Sequence, residues 1–127
     1  MMYSENVMER FKNPKYAGEL EHPDAVGEVG NIACGDIMRV AIMVKDNRIA
    51  DIKFKTYGCV AAIASSDCLC EIAKGKTLDE ALKITNKDVI HCLGGDIPAI
   101  KVHCSVLAQD ALKKAIEDFR KQHAVEK

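Results

Sequence analysis

Ile37-Met38-Arg39-Val40-Ala41-Ile42-Met43-Val44-Lys45 and Arg48-Ile49-Ala50-Asp51-Ile52-Lys53-Phe54-Lys55-Thr56, joined by Asp46-Asn47, are the stretches that decide the fold. In the first, Met38, Val40, Ile42 and Val44 alternate with positions that include Arg39 and Lys45, which is the period of a half-buried strand. In the second, Ile52 and Phe54 point one way while Asp51, Lys53 and Lys55 point the other. Asp46-Asn47 is a turn signal. The two stretches therefore read as a hairpin with one solvated face, which predicts an antiparallel sheet.

Upstream of the hairpin, Gly27 to Val29 reads as a short edge strand. Tyr3 to Lys12 reads as a helix capped by Ser4, with Val7, Met8 and Phe11 as its apolar stripe and Asn13-Pro14 as its stop. Lys15 to Asp24 is polar and irregular.

Downstream, the period changes after Tyr57-Gly58. Cys59 to Lys74 is alanine-rich and helical, with Ile63, Leu69 and Ile72, and Gly75 forms its C-cap. Thr77 and Glu80 form a capping-box pair opening a short helix to about Ile84. A further short helix spans Lys87 to Leu93, where Gly94-Gly95 stop it, and Ile97 to Ile100 is extended. From His103 to about Gln122 the pattern is one long amphipathic helix. Leu112, Ile116 and Phe119 share a face of it, and Asp110/Lys114 and Glu117/Lys121 are spaced as i,i+4 pairs. Strands come first and helices follow. The expected class is α+β: a small antiparallel three-stranded sheet covered on one face by helices, with a long C-terminal helix. There is no repeat, linker or low-complexity segment, so residues 1–127 are expected to form one domain.

With 127 residues, 48% of them hydrophobic and 29% charged, the chain has the material for an ordinary core. A formal net charge of −1 gives no electrostatic reason to bind nucleic acid or an anionic membrane. Nothing near Met1 resembles a secretory signal, and no apolar run approaches the ~18 residues of a membrane span, so the expected compartment is the cytoplasm. Six cysteines in such a chain then point to metal or thiol chemistry more than to disulfides.

Three of these cysteines stand where regular elements begin or end. Cys34 and Asp36 flank Gly35 in a glycine-bounded loop before the first hairpin strand, where a backbone curl turns both side chains toward one ion. Cys59 follows Gly58 at a predicted helix start, where unpaired amides and the helix dipole favour thiolate. Cys104 opens the long helix in the same way, and His103 beside it offers an imidazole nitrogen. Thiolate, carboxylate and imidazole together suit zinc or iron. The plainer reading of each piece alone is packing for a cysteine, a turn for Gly35-Asp36 and a cap for His103. No C-x2-C pair supplies a zinc-finger spacing.

The stretches Gly30–Asp36, Phe54–Cys59 with Ala62–Ser66, and Ile97–Asp110 closely resemble, in this order, the signature segments of the IscU family, which also occurs as the N-terminal domain of NifU. The resemblance covers nearly the whole chain. It implies a scaffold that receives iron and sulfur, assembles an iron–sulfur cluster, commonly [2Fe-2S], and passes it to acceptor apoproteins. It implies Cys34, Asp36, Cys59 and Cys104 as cluster ligands, His103 as an alternative ligand, and zinc as another occupant of the same residues. It also implies a cysteine desulfurase as partner, with Cys104 as the leading acceptor of its persulfide. The chain is expected to act as a monomer or as a homodimer around the cluster. An oxidised core of about +2 against three thiolates and a carboxylate leaves about −2 for the helix N-termini to hold.

Two departures bear on the site. The family usually has proline at the position of Ile32 and often glycine at that of Val60. Ile97-Pro98-Ala99-Ile100-Lys101 stands where many relatives carry Leu-Pro-Pro-Val-Lys, the segment bound by a dedicated chaperone; one proline is replaced, and a simple extended connector is the alternative.

Cys68, Cys70 and Cys92 are expected to be packing residues, and His22, His91 and His123 surface groups. Two other classes compete with the scaffold: a regulatory or interaction module closed around zinc, and a thiol enzyme using Cys104 with His103 as base. The last fits poorly, because adjacent helical residues point about 100° apart, so the protein is not expected to be an enzyme.

Overall fold

In the computed structural model the described residues are 5–31, 36–58, 60–94 and 102–124. They form α1 (Glu5–Lys12), β1 (Ala25–Asn31), β2 (Asp36–Lys45), β3 (Arg48–Tyr57), α2 (Val60–Ala73), α3 (Leu78–Leu82), α4 (Asn86–Cys92) and α5 (Val102–Ala124). The sheet is antiparallel with the order β1-β2-β3. The α+β architecture read from the sequence is therefore the observed one, with β1 longer than the expected Gly27–Val29.

Asp46 and Asn47 adopt φ of 54° and 63°, so both centre residues of the hairpin turn are left-handed. Asn and Asp tolerate this backbone, and its twist matches that of the strands it joins. The register is broken once, between Met43 and Val44. Upstream of that break, Met38, Val40 and Ile42 pair across with Thr56, Phe54 and Ile52 on the buried face. The opposite face carries Ile37, Arg39 and Met43 beside Tyr57, Lys55 and Asp51. The stretch expected to be irregular, Lys15 to Asp24, straps that outer face. Tyr16 and Gly18 pair with Phe54 on the free edge of β3 (Phe54 N to Tyr16 O, and Gly18 N to Phe54 O, both 2.9 Å). Further on, Asp24 Oδ2 accepts from Val44 N at 2.7 Å.

The helices cover the other face. α5 lies against β1 and β2, and α2 is enclosed by α1, α4, α5 and β3. These neighbours leave α2 little outward face: among its described side chains only Glu71 is exposed. Cys68, Leu69, Cys70 and Ala73 are all buried, so the two cysteines fill core positions as expected even though they lie on different sides of the helix. Asp67 is also buried, at 1% exposure, and it is satisfied by Arg10 Nη1 and by Tyr16 N, each at 2.9 Å. This carboxylate ties α1 and the strap to α2.

Gly27 has a different task from a turn glycine. A Cβ there would overlap the Ala111 carbonyl and the Ala115 amide, so the missing side chain is what lets α5 lie directly on β1. The capping box at Thr77/Glu80 forms as read, and a second one at Thr85/Asp88 starts α4 one residue earlier than expected. Gly75 and Gly94 end their helical segments at φ 88° and 91°. Among the described residues the spaced pairs Asp110/Lys114 and Glu117/Lys121 form no ion pair; α5 instead bonds to α3 through Arg120 Nη2 and Asp79 Oδ1 at 2.7 Å. The Ser4 cap and the extended Ile97–Ile100 segment lie outside the described residues.

Candidate metal and cluster site

Sheet register fixes what meets at the end of the sheet away from the hairpin turn. Asn31, the last residue of β1, is the partner of Asp36, the first of β2. Ile37 is the partner of Tyr57, the last residue of β3. The connection carrying Cys34 thus leaves from and returns to the same sheet end at which β3 stops, and α2 begins at Val60, three residues after Tyr57.

The direction of α5 brings a third segment to this end. α3 is stacked on the hairpin turn, because Leu78 N donates to Asn47 O at 3.1 Å and Arg48 bridges to Thr77. Arg120, near the C-terminus of α5, is bonded to Asp79 of α3. The middle of α5, Ala111 to Ala115, crosses Gly27 in mid-β1. The helix therefore runs antiparallel to β1. Its first turn, with His103 and Cys104, lies about 24 Å along the axis from Arg120, toward the sheet end where β1 and β3 finish.

Of the residues selected from the sequence, Asp36 opens β2 and His103 and Cys104 occupy the first turn of α5. Their side chains, and all of Cys34 and Cys59, lie outside the described residues. Among the described residues no group of three or more His, Cys, Asp or Glu side chains is arranged to hold a metal ion. What the backbone supplies is the meeting of three chain segments. It also supplies the free amides of a 23-residue helix, whose N-terminal end favours bound anions and ionised thiols.

Near this end the outer face of the sheet exposes two large apolar side chains that are register partners, Ile37 at 44% and Tyr57 at 61%. On the next rung inward, Arg39 stands opposite Lys55, which is bonded to Glu19 at 3.1 Å. Sequence reading passed over the Arg10–Asp67 bond. Its only trace was an aspartate in the middle of an otherwise small and apolar helix. His22 and His91 are exposed, as expected of surface groups, and His123 lies outside the described side chains.

The comparisons agree with this architecture. The NifU-like N terminal domain family matches residues 2–126. Iron-sulfur cluster assembly scaffold protein IscU 1 of Archaeoglobus fulgidus is 56% identical over 127 residues, covering 99% of this chain and 82% of that protein. The protein named IscU of Haemophilus influenzae is 48% identical over 124 residues, covering 94% of this chain and 97% of its own. The nitrogen fixation protein NifU of Nostoc is 48% identical over 126 residues, but the match spans only 42% of that longer protein. Among solved structures, the N-terminal part of a NifU-like protein from Brucella abortus superposes with a TM-score of 0.77 at 19% identity, covering 94% of each chain, which speaks for the fold alone. The chain belongs to the IscU family of iron–sulfur cluster assembly scaffolds, the family of the NifU N-terminal domain. Its relatives carry the names of scaffolds, not of catalysts. Among the described residues no helix is long and apolar enough to cross a membrane.

Proposed function

We propose that this protein assembles a [2Fe-2S] cluster from iron and desulfurase-derived sulfur and hands it to acceptor apoproteins, with Cys34, Asp36, Cys59 and Cys104 holding the cluster as cargo. The observation that carries this reading is 56% identity to a named scaffold along 99% of the chain. The convergence of the β1–β2 connection, the end of β3 and the start of α5 at one sheet end supports the choice of residues.

The roles follow from donor chemistry. Three thiolates supply the soft ligands that iron prefers in such clusters, and the single carboxylate is the weaker and more exchangeable fourth. His103, next to Cys104, is the replacement ligand when Asp36 lets go. Cys104, in the first turn of a helix whose amides stabilise thiolate, takes the sulfane sulfur from the desulfurase persulfide. The mixed charge of the chain, −1 overall, suits protein partners better than nucleic acid. Ile97–Lys101 is the segment offered to a chaperone. The working compartment is the cytoplasm, where thiols stay reduced, and the scaffold works as a monomer or as a homodimer around the cluster.

Anaerobic reconstitution with ferrous iron and sulfide, followed by absorption spectroscopy and native mass measurement, tests this. A brown protein carrying two irons and two sulfides is expected, and the Cys34→Ala and Cys104→Ala variants should fail to load. A colourless product that retains zinc would overturn the proposal. Asp36→Ala is expected to keep its cluster longer in the presence of an apo-ferredoxin; faster loss would remove Asp36 from its role.

A further inference from the structure

The strap between α1 and β1 crosses the outer face of the sheet. It leaves the free edge of β3 at Gly18, whose amide donates to the Phe54 carbonyl, and reaches β2 at Asp24, whose amide donates to the Ile42 carbonyl at 2.8 Å. Between strap and sheet is a chamber of about 220 Å³. Its floor is the rung of Val26, Ala41 and Lys53, and Gly18, Leu20 and Pro23 form the strap wall. Ala41 belongs to the outer face and is nevertheless buried, as a strap passing over it requires. Three cations, Arg39, Lys53 and Lys55, line this chamber. Arg39 and Lys55 are direct register partners, and Lys53 stands two residues from Lys55 on the same face of β3. Like charges set opposite each other across a ladder are destabilising. The one acid lining the chamber, Glu19, is bonded to Lys55 at 3.1 Å. Glu28 is the register partner of Arg39 on β1, yet among the described residues neither Arg39 nor Lys53 forms an ion pair. Two cations of the chamber are left uncompensated.

We propose that the chamber beneath the strap binds a small free oxyanion, a tetrahedral dianion of the phosphate or sulfate type, held by Arg39, Lys53 and Lys55. Each observation fixes one property of the ligand. Two uncompensated cations call for two negative charges. The planar fork of Arg39 matches two oxygens of one tetrahedral anion, and Lys53 adds a point charge. The volume lies below the roughly 300–1,000 Å³ of pockets that take drug-sized ligands, so it suits an ion better than a cofactor. The Glu19–Lys55 bond is solvent-exposed on both sides, and such pairs contribute little. An arriving dianion therefore displaces Glu19 and gains Lys55 as its third partner. Occupancy relieves the repulsion between Arg39 and Lys55, so the anion stabilises the folded chain by linkage. The floor at Ala41 lies about 17 Å along β2 from Asp36, which sets this site apart from the sheet end assigned to the cluster.

The test titrates the full chain with sodium phosphate against sodium chloride at constant ionic strength. Melting temperature and amide shifts by nuclear magnetic resonance are the readouts. Phosphate should raise the melting temperature along a saturating curve, with amide shifts concentrated at Gly18, Leu20 and Lys53; chloride should give neither, and sulfate should compete with phosphate. Arg39→Gln should weaken phosphate binding at least about tenfold. Glu19→Gln, which removes the competing carboxylate, should tighten it about twofold. Adenosine monophosphate should bind more weakly than phosphate, and tighter binding of the nucleotide would overturn the assignment to a free ion. A rise that never saturates, as exclusion of phosphate from the protein surface produces, would overturn the proposal. So would amide shifts confined to the first turn of α5, or an affinity unchanged in Arg39→Gln. Should a substituted chain fail to give the circular dichroism of the parent, the position of the shifts in the parent chain decides the question by the same criteria.

Discussion

The two ends of the sheet are built differently. At the hairpin end, backbone bonds from Ile49 N to Lys76 O and from Gly75 N to Ile49 O, both 2.9 Å, lock β3 to the chain after α2. Arg48 Nη1 caps the Gly75 carbonyl at 3.0 Å, Thr77 and Glu80 close a capping box, and Arg120 anchors α5 there. At the opposite end, three chain segments arrive, and the described surface exposes Ile37 and Tyr57. One end fixes where elements lie; at the other, the described surface leaves two large apolar side chains exposed. On the proposed function, this division puts loading and release at the end whose groups are not already taken up by the fold.

The contrast is sharpened by changes that strike the fixed part. Gly27→Val should have the largest effect, because the seam between β1 and α5 has backbone atoms where the new side chain would go. A loss of about 4 kcal/mol or outright misfolding is expected in denaturant titrations. Because α5 carries His103 and Cys104, iron and sulfide loading should fall with it. If Gly27→Val unfolds like the parent, α5 is not seated on β1 as described.

Asp67→Ala comes next. It strips a nearly fully buried carboxylate from Arg10, whose side chain is 15% exposed, and leaves the Tyr16 amide unpaired. A loss of about 3 kcal/mol is expected by chemical denaturation. Asn47→Val should cost about 1–2 kcal/mol, since a β-branched residue is forced to φ near 63°. Loading measured well below the melting transition should survive in both variants. Loss of loading in the folded Asn47→Val protein would show that the two ends are coupled.

The smallest effect is a pH dependence. The Thr77 amide, and then the Thr77 hydroxyl, hold the exposed Glu80 carboxyl below its ordinary value. A depressed carboxyl contributes stability that is present above its unfolded pKa and is lost as pH falls through the lowered folded value. The gap in melting temperature between the parent and Glu80→Gln should therefore shrink as the solution is acidified through the carboxylate range. A gap that widens on acidification would contradict the cap.

Much of this layout was legible in the chain. The alternation through Ile37–Thr56 is local and has a period of two, so the hairpin and its buried face could be read directly. Thr77 with Glu80 is a local chemical signal, and the cap formed as read. Other features depend on distant neighbours. α2 reads in the sequence as an alanine-rich helix, and its deep burial, with Glu71 the one exposed residue among its described side chains, comes from the four elements packed around it. Gly27 looked like part of a short edge strand, and only the crossing of α5 explains the absence of a side chain. The candidate cluster residues were chosen from thiol placement at element ends and from family resemblance, and the fold adds the common destination of the segments that carry them.

The sequence by itself determined the hairpin, the capped start at Thr77 and the family, because each is written in residues close together or in motifs kept in order. Only the tertiary structure decided that α5 runs antiparallel to β1 and that Asp67 meets Arg10. Both depend on which surfaces pack against each other across long stretches of chain, and a periodicity within one element carries no information about the element it will face.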